Sequence, residues 1–199
     1  MFESTGGRQA LPGTTPLDAA VSLRTLPPST RFVLRCRPAA VEKAEAAFAL
    51  ALPQTPCRAT TTGSRAALWL GPDEWLLVGP EADPSEMARR GAALAGVPHS
   101  LVDISHGLTG LKIEGPQAAA VLNHGCPLDL SDVAFPVDMC TRSILGKAQI
   151  VLWRTAEDAF RVEMARSFGA YIWSFLEEAR REYNVGFSVR GRGDRSPLG

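Results

Sequence analysis

The chain reads as an α+β protein, mostly antiparallel sheets with helices packed on one face. Three observations carry that reading. Apolar and polar residues alternate in several short runs, which is the period of a half-buried strand. Most of these runs come in pairs around a short turn, as in a hairpin. A helix signal follows each pair, so the plan is βα and then ββα three times. Helices that follow hairpins cover one side of an antiparallel sheet, which excludes a doubly wound α/β fold.

The pair that sets the pattern is ALWLGPDEWLLVG, residues 67–79 with Ala66 before it. Pro72 presets the first turn angle and Asp73 tolerates the second. Leu68, Leu70, Leu76, Leu77 and Val78 supply apolar surface, and Trp75 is expected to point inward with Leu77. Upstream, Arg31 to Arg37 reads as a strand with Phe32, Leu34 and Cys36 on one face. Pro38 suits a first helical position, Val41, Ala44, Ala47, Phe48 and Ala51 recur at helical spacing, and Pro53 stops that helix. Residues 54–64 read as a polar loop.

After the hairpin, Asp83-Pro84-Ser85-Glu86 is a capping-box start for a helix that ends at Gly96. The second pair, Ser100 to Ser105 and Thr109 to Glu114, flanks His106-Gly107, and Gly115-Pro116 opens a helix carrying Ala119, Val121 and Leu122. In the third pair, Ile144, Ala148, Ile150 and Leu152 alternate along one strand, and Phe160, Val162 and Met164 along the next. Ser167 is placed to cap a last helix whose stripe is Phe168, Tyr171, Ile172, Phe175, Leu176 and Ala179. These units resemble duplicated split-βαβ, ferredoxin-like packing. They define one α+β domain over residues 31–183, an extended arm over residues 1–30 and a flexible tail over residues 184–199.

Composition narrows the function. Lys+Arg 21 against Asp+Glu 21 gives no net charge, so the basic footprint of a nucleic-acid binder is missing. Cys36, Cys57, Cys126 and Cys140 form no C-x-x-C pair and no His pair stands at ligand spacing, which argues against zinc or a redox dithiol. No apolar run approaches ~20 residues and no signal-peptide core is present. A cytoplasmic protein with reduced thiols and no membrane association is the expectation.

Each candidate site also has a plain structural role. Asp103, Ser105 and His106 suggest a triad, but neighbours on one strand end point to different sides, and a turn or interface histidine is preferred. His99 and His124 are isolated. Gly71-Pro72 and Gly115-Pro116 lack any phosphate-loop pattern, and proline removes a donor. Glu177-Glu178 with Arg180 and Arg181 reads as a solvated helix face. Trp69, Trp75, Trp153 and Trp173 read first as core cover and second as a partner surface, with Trp153 opposite Ile150 and Leu152. No catalytic, cofactor-binding or metal residue is assigned.

The stretch LVDISHGLTGLKIEGPQAAAVLNHGCPLDL, Leu101 to Leu130, resembles the folate-binding aminomethyltransferase superfamily, through Asp-x-Ser at a strand end and Gly-Pro-x-Ala-Ala opening a helix. Within it, LGPDEWLLVG, the Asp103 to Asp129 stretch, TRSILGKAQIVLWR and FRVEMARSFGAYIWSFLEEA resemble the gamma-subunit family of bacterial heterotetrameric sarcosine oxidases, over residues 31–181. That resemblance implies an aminomethyltransferase-like fold and a noncatalytic role beside flavin-bearing large subunits. It implies a complex that demethylates sarcosine to glycine, forming hydrogen peroxide and either formaldehyde or 5,10-methylenetetrahydrofolate. It places FAD, FMN, NAD and tetrahydrofolate on the alpha and beta subunits and zinc on the delta subunit, with no cofactor residue on this chain. The alternative is a free-standing folate-dependent aminomethyl or one-carbon transferase, for which Asp103 or Asp129 would grip the pterin. A folate-binding iron–sulfur assembly factor fits less well, because Cys140 is followed by Thr141-Arg142-Ser143 rather than that group's cysteine motif.

Overall fold

The computed structural model describes Thr14, residues 20–81 and residues 84–183. Among the described residues, ten strands form two antiparallel five-stranded sheets. The first sheet contains β2 (Ser29–Cys36), β3 (Ala59–Thr62), β4 (Arg65–Gly71), β5 (Glu74–Pro80) and β6 (His99–Asp103), in the order β3-β4-β5-β2-β6. The second contains β1 (Ser22–Thr25), β7 (Leu108–Glu114), β8 (Cys140–Leu145), β9 (Ala148–Ala156) and β10 (Ala159–Ala165), in the order β1-β7-β10-β9-β8. The helices are α1 (Val41–Phe48), α2 (Pro84–Ala93), α3 (Ala118–Asn123) and α4 (Gly169–Ala179).

Strand alternation sorts the side chains into three cores and so four layers. Phe32, Leu34, Ala67, Trp75 and Leu77 of the first sheet pack on Ala44 and Phe48 of α1 and on Leu94. Leu111, Ile113, Leu152, Phe160 and Val162 of the second sheet pack on Val121 and Leu122 of α3 and on Ile172, Trp173 and Leu176 of α4. The opposite strand faces meet each other: Ala66, Leu68, Leu76 and Val78 of the first sheet pack on Cys140 and Trp153 of the second. The order is helices, sheet, sheet, helices. Each fully buried Leu or Phe contributes about 1.5–3 kcal/mol to holding these layers.

The expected hairpin of β4 and β5 forms, with Trp69 opposite Trp75 and Trp75 inward beside Leu77. Trp153 lies opposite the Ile150 and Leu152 face, as the alternation requires.

Five local readings are corrected. Residues 20–25, read as part of an arm, are packed: Val21 and Leu23 are buried, and β1 pairs with β7 along Ser22↔Glu114 to Thr25↔Leu111. Four residues of β1 hold too short an alternation to register as a strand. The second pair of strands is not a hairpin: β6 pairs with β2, the chain crosses at residues 104–107, and β7 joins β1 and β10 in the other sheet. The supposed single strand from Ile144 to Leu152 is two strands around Gly146, whose φ of +59° makes the turn. The polar loop of residues 54–64 contains the edge strand β3, whose threonines gave no apolar alternation. Finally, α1 ends at Phe48 with Ala49 in the left-handed region, well before Pro53.

Ser167 makes no capping hydrogen bond and sits in a 3-10 turn, Arg166–Phe168, ahead of α4. Asp83 and its capping box, and the tail after Tyr183, lie outside the described residues. The stripe of α4 is rotated from expectation: Ile172, Trp173 and Leu176 are buried, while Phe168 and Tyr171 sit at its exposed margin.

Candidate functional site

The crossing between β6 and β7 carries the Asp103, Ser105 and His106 cluster. Ser105 donates its backbone N–H and its hydroxyl to Asp103 Oδ1, at 2.8 and 2.5 Å, and its Oγ accepts the backbone N–H of Arg31 at 2.9 Å. The serine proton is therefore aimed at the aspartate. His106 is exposed, and its backbone carbonyl accepts Arg166 Nε at 3.0 Å. These bonds fasten a crossover turn to β2 and to the 3-10 turn that precedes α4. They do not assemble a nucleophile with its base.

The remaining candidates are also bound into local structure. Asp129 is exposed on the loop after α3, where the backbone N–H of Ser131 at 2.9 Å, and then its side chain, hold the carboxyl below the usual carboxylate range. Asp103 lies at the end of β6 in the first sheet, so the two aspartates belong to different elements. His99 Nδ1 lies 2.9 Å from Val97 O, and His124 Nε2 lies 3.1 Å from the Tyr183 hydroxyl. Gly115, at a φ of +128°, lets β1 approach: a Cβ there would stand 2.3 Å from Ala20 O. Its role is backbone clearance.

The cysteines are free. Burial pushes the Cys140 thiol up to about 12, which keeps it protonated and unreactive at neutral pH. Burial, with the nearby Asp73 charge, also raises Cys36. Among the described residues, no group of three or more His, Cys, Asp or Glu could hold a metal ion.

Tryptophans divide as cover and core. Trp75 is buried and donates Nε1–H to Pro53 O at 2.9 Å. Trp173 is buried on the inner face of α4, Trp153 is buried between the sheets, and Trp69 is partly covered.

Two charged groups escaped the sequence reading. Between the sheets, Arg31 of β2 donates Nε–H to Glu163 Oε2 of β10 at 2.6 Å, and Arg161 donates Nε–H to Glu163 Oε1 at 2.6 Å. Side-chain exposure is 2% for Arg31 and 1% for Glu163, so this pair is sealed into the inter-sheet layer, while Arg161, at 19%, lies at its margin. Alternation in FRVEMA marked Arg161 and Glu163 as the polar face of a strand, and a polar face is expected to be wet. Here it meets a second sheet instead. The other group is Arg154, buried over the Phe160 ring at 5.1 Å, which donates to Phe135 O at 2.8 Å and Glu157 O at 3.0 Å and pairs with Asp132. It anchors the loop that follows α3. On α4, Glu177 and Arg180 are also more than a solvated pair, because Arg180 reaches Val21 O of the N-terminal segment at 3.3 Å.

Comparison with known proteins agrees with this architecture. A sequence model of the Sarcosine oxidase, gamma subunit family matches residues 35–182. The sarcosine oxidase subunit gamma of Corynebacterium sp. (strain U-96) is 34% identical over 171 residues, covering 84% of this chain and 83% of that protein. A chain of the heterotetrameric sarcosine oxidase from Corynebacterium sp. U-96, solved in complex with pyrrole 2-carboxylate, superposes with a TM-score of 0.78 at 30% identity. That match covers 93% of this chain and 91% of that one. The glycine cleavage system aminomethyltransferase T from Bartonella henselae superposes with a TM-score of 0.62 at 16% identity, over 88% of this chain and 55% of that one. At that identity it shows a shared fold.

Proposed function

The chain belongs to the sarcosine oxidase gamma subunit family, and from that premise we propose that it is the noncatalytic gamma subunit of a heterotetrameric sarcosine oxidase. The observation that carries the reading is mutual coverage: gamma subunit and chain align over more than four fifths of each. The two therefore correspond as whole subunits rather than through one shared motif.

In this reading the chain stabilises flavin-bearing large subunits while they oxidise sarcosine to glycine, with hydrogen peroxide and formaldehyde or 5,10-methylenetetrahydrofolate as products. FAD, FMN, NAD, zinc and the tetrahydrofolate site belong to the alpha, beta and delta partners. Its own side chains support a structural part in this. The Ser105 hydroxyl is committed to Asp103, the Cys140 thiol stays protonated, and Arg31 of β2 ties the sheets together through Glu163 of β10, which Arg161 of the same strand also binds. Four free cysteines support a reducing compartment such as the cytoplasm. No helix among the described residues is long and apolar enough to cross a membrane.

A free-standing folate-dependent transferase is not favoured, because the likeness to the aminomethyltransferase is one of fold.

The test is co-expression with and without this chain. Omitting it is expected to reduce the recovery and flavin content of the large subunits, and the chain purified alone is expected to show neither flavin absorbance nor sarcosine oxidation. Sarcosine oxidation by the isolated chain would overturn the reading.

A further inference from the structure

Register places one row of residues across the inner face of the second sheet. Arg24 stands opposite Lys112, Lys112 opposite Arg161, Arg161 opposite Trp153, and Trp153 opposite Cys140. Directly paired residues of antiparallel strands share a face. The Cys140 end of the row is closed by Leu68 and Leu76 of the first sheet. The other end carries three cations on three neighbouring strands.

Charge among the described residues of this region does not balance. Lys112 pairs with Glu114 at 2.7 Å, while Arg161 and Arg31 share Glu163. Among the described residues, Arg24, Arg31, Lys112 and Arg161 thus face two carboxylates, Glu114 and Glu163. Two donors are left over as well. Trp153 is 6% exposed, and its Nε1 is buried with no acceptor among the described residues. Arg161 Nη2 lies 2.6 Å from Glu163 Oε1 but makes no aligned hydrogen bond, and it too is buried. Buried donors in folded proteins are almost always satisfied, and leaving one unmade is costly. Trp75 in the first sheet shows the ordinary outcome, with its indole donating to a backbone carbonyl.

We infer that the inner face of the second sheet, at Trp153, Arg161 and Lys112, is a binding site for an oxyanion. A carboxylate or phosphate oxygen accepts from Trp153 Nε1 and Arg161 Nη2, and Lys112 with Arg24 supplies the balancing charge. Charge-assisted bonds of this kind are the strong ones, and a guanidinium matches a carboxylate or phosphate geometrically. The oxygen comes either from a free small anion or from an acidic side chain of a neighbouring subunit. The second source rests on the proposed quaternary role; the first does not.

The indole N–H signals of the full chain, labelled with 15N-tryptophan, test this directly. Trp153→Phe identifies the signal. Potassium phosphate and potassium acetate are titrated against potassium chloride at matched ionic strength. A free-anion site gives a saturable shift of the Trp153 signal with phosphate or acetate beyond that with chloride, weakened at least tenfold in Lys112→Ala or Arg161→Gln. Lys112 is partly exposed, so its replacement keeps the test open if Arg161→Gln unfolds the chain. A partner carboxylate gives no anion response, and instead a shift on assembly with the other subunits that Lys112→Ala diminishes, with assembly itself scored separately by gel filtration. A signal that moves equally with chloride, or in neither arm, overturns the proposal: an adventitious ion only, or water, then satisfies the donors.

Discussion

The two sheets are built from the same pieces, five antiparallel strands and two covering helices, yet they use their inner and outer faces differently. The second sheet is closed on its outer side by a continuous core running from Leu23 of β1 through Phe160 to Leu176 of α4. The first sheet has a smaller outer core and ends in β6, where Val102 is 49% exposed and Leu101 only partly covered. Between the sheets the contrast is chemical. At the β8 and β9 side the contact is apolar, and at β10 and β2 it is a buried charge cluster. Burial strength in this fold thus follows which face a strand turns to which neighbour more than how apolar the strand is.

Replacing Glu163 with leucine attacks the contrast where it is sharpest. Glu163→Leu leaves Arg31 buried without a counter-charge, and breaking a buried pair in this way costs about 3–5 kcal/mol. Urea unfolding of the full chain followed by circular dichroism should show that loss. A loss under about 1 kcal/mol would mean that water reaches Arg31 and the inter-sheet layer is not sealed.

Matched truncations then compare the two outer cores. Leu152→Ala, at a fully buried site, is expected to cost about 3 kcal/mol, against about 1–2 kcal/mol for Leu101→Ala on the partly covered edge strand. Equal losses in the same unfolding experiment would erase the distinction between the sheets.

Gly115→Ala tests the recruitment of β1 into the second sheet. The new Cβ collides with the backbone at Ala20, and the residue is forced to a φ that L-amino acids avoid, a strain of about 1–3 kcal/mol. Hydrogen exchange at Leu23 and Thr25 should accelerate more than at Phe32 of the first sheet.

The smallest expected effect concerns pH. Cys140 is raised to about 12 in the folded chain from an ordinary 9.0, so burial favours its protonated form. The stability it contributes is present below about pH 9 and is lost as pH rises toward about 12, because only the unfolded thiol ionises in that window. Cys140→Ala should flatten the alkaline limb of a thermal-stability profile relative to wild type. At pH 8, a thiol reagent should modify the half-buried Cys57 before Cys140.

Sequence alone determined a good deal of this. A period of two in RFVLRCR, ALWLGPDEWLLVG and FRVEMA defines which residues share a face, and the Gly71-Pro72-Asp73 turn is too short to join anything but adjacent antiparallel strands. The Ile172 and Leu176 spacing likewise announces a helix that covers a sheet.

Tertiary structure decided what each face meets. Nothing local distinguishes SLVDIS and TGLKIE as members of different sheets, because hydrogen-bonding partners of a strand are chosen by long-range pairing. Leu23 becomes core only once β7 offers an edge. Alternation states that two faces of a strand differ, and it is silent on whether the polar face looks at water or at another polar face. For Arg31, Arg161 and Glu163 it looks at another polar face. The charges that sequence assigns to solvent are therefore the ones that join the two sheets, because their electrostatic partners lie up to 132 positions apart and only the folded chain brings them within 2.6 Å.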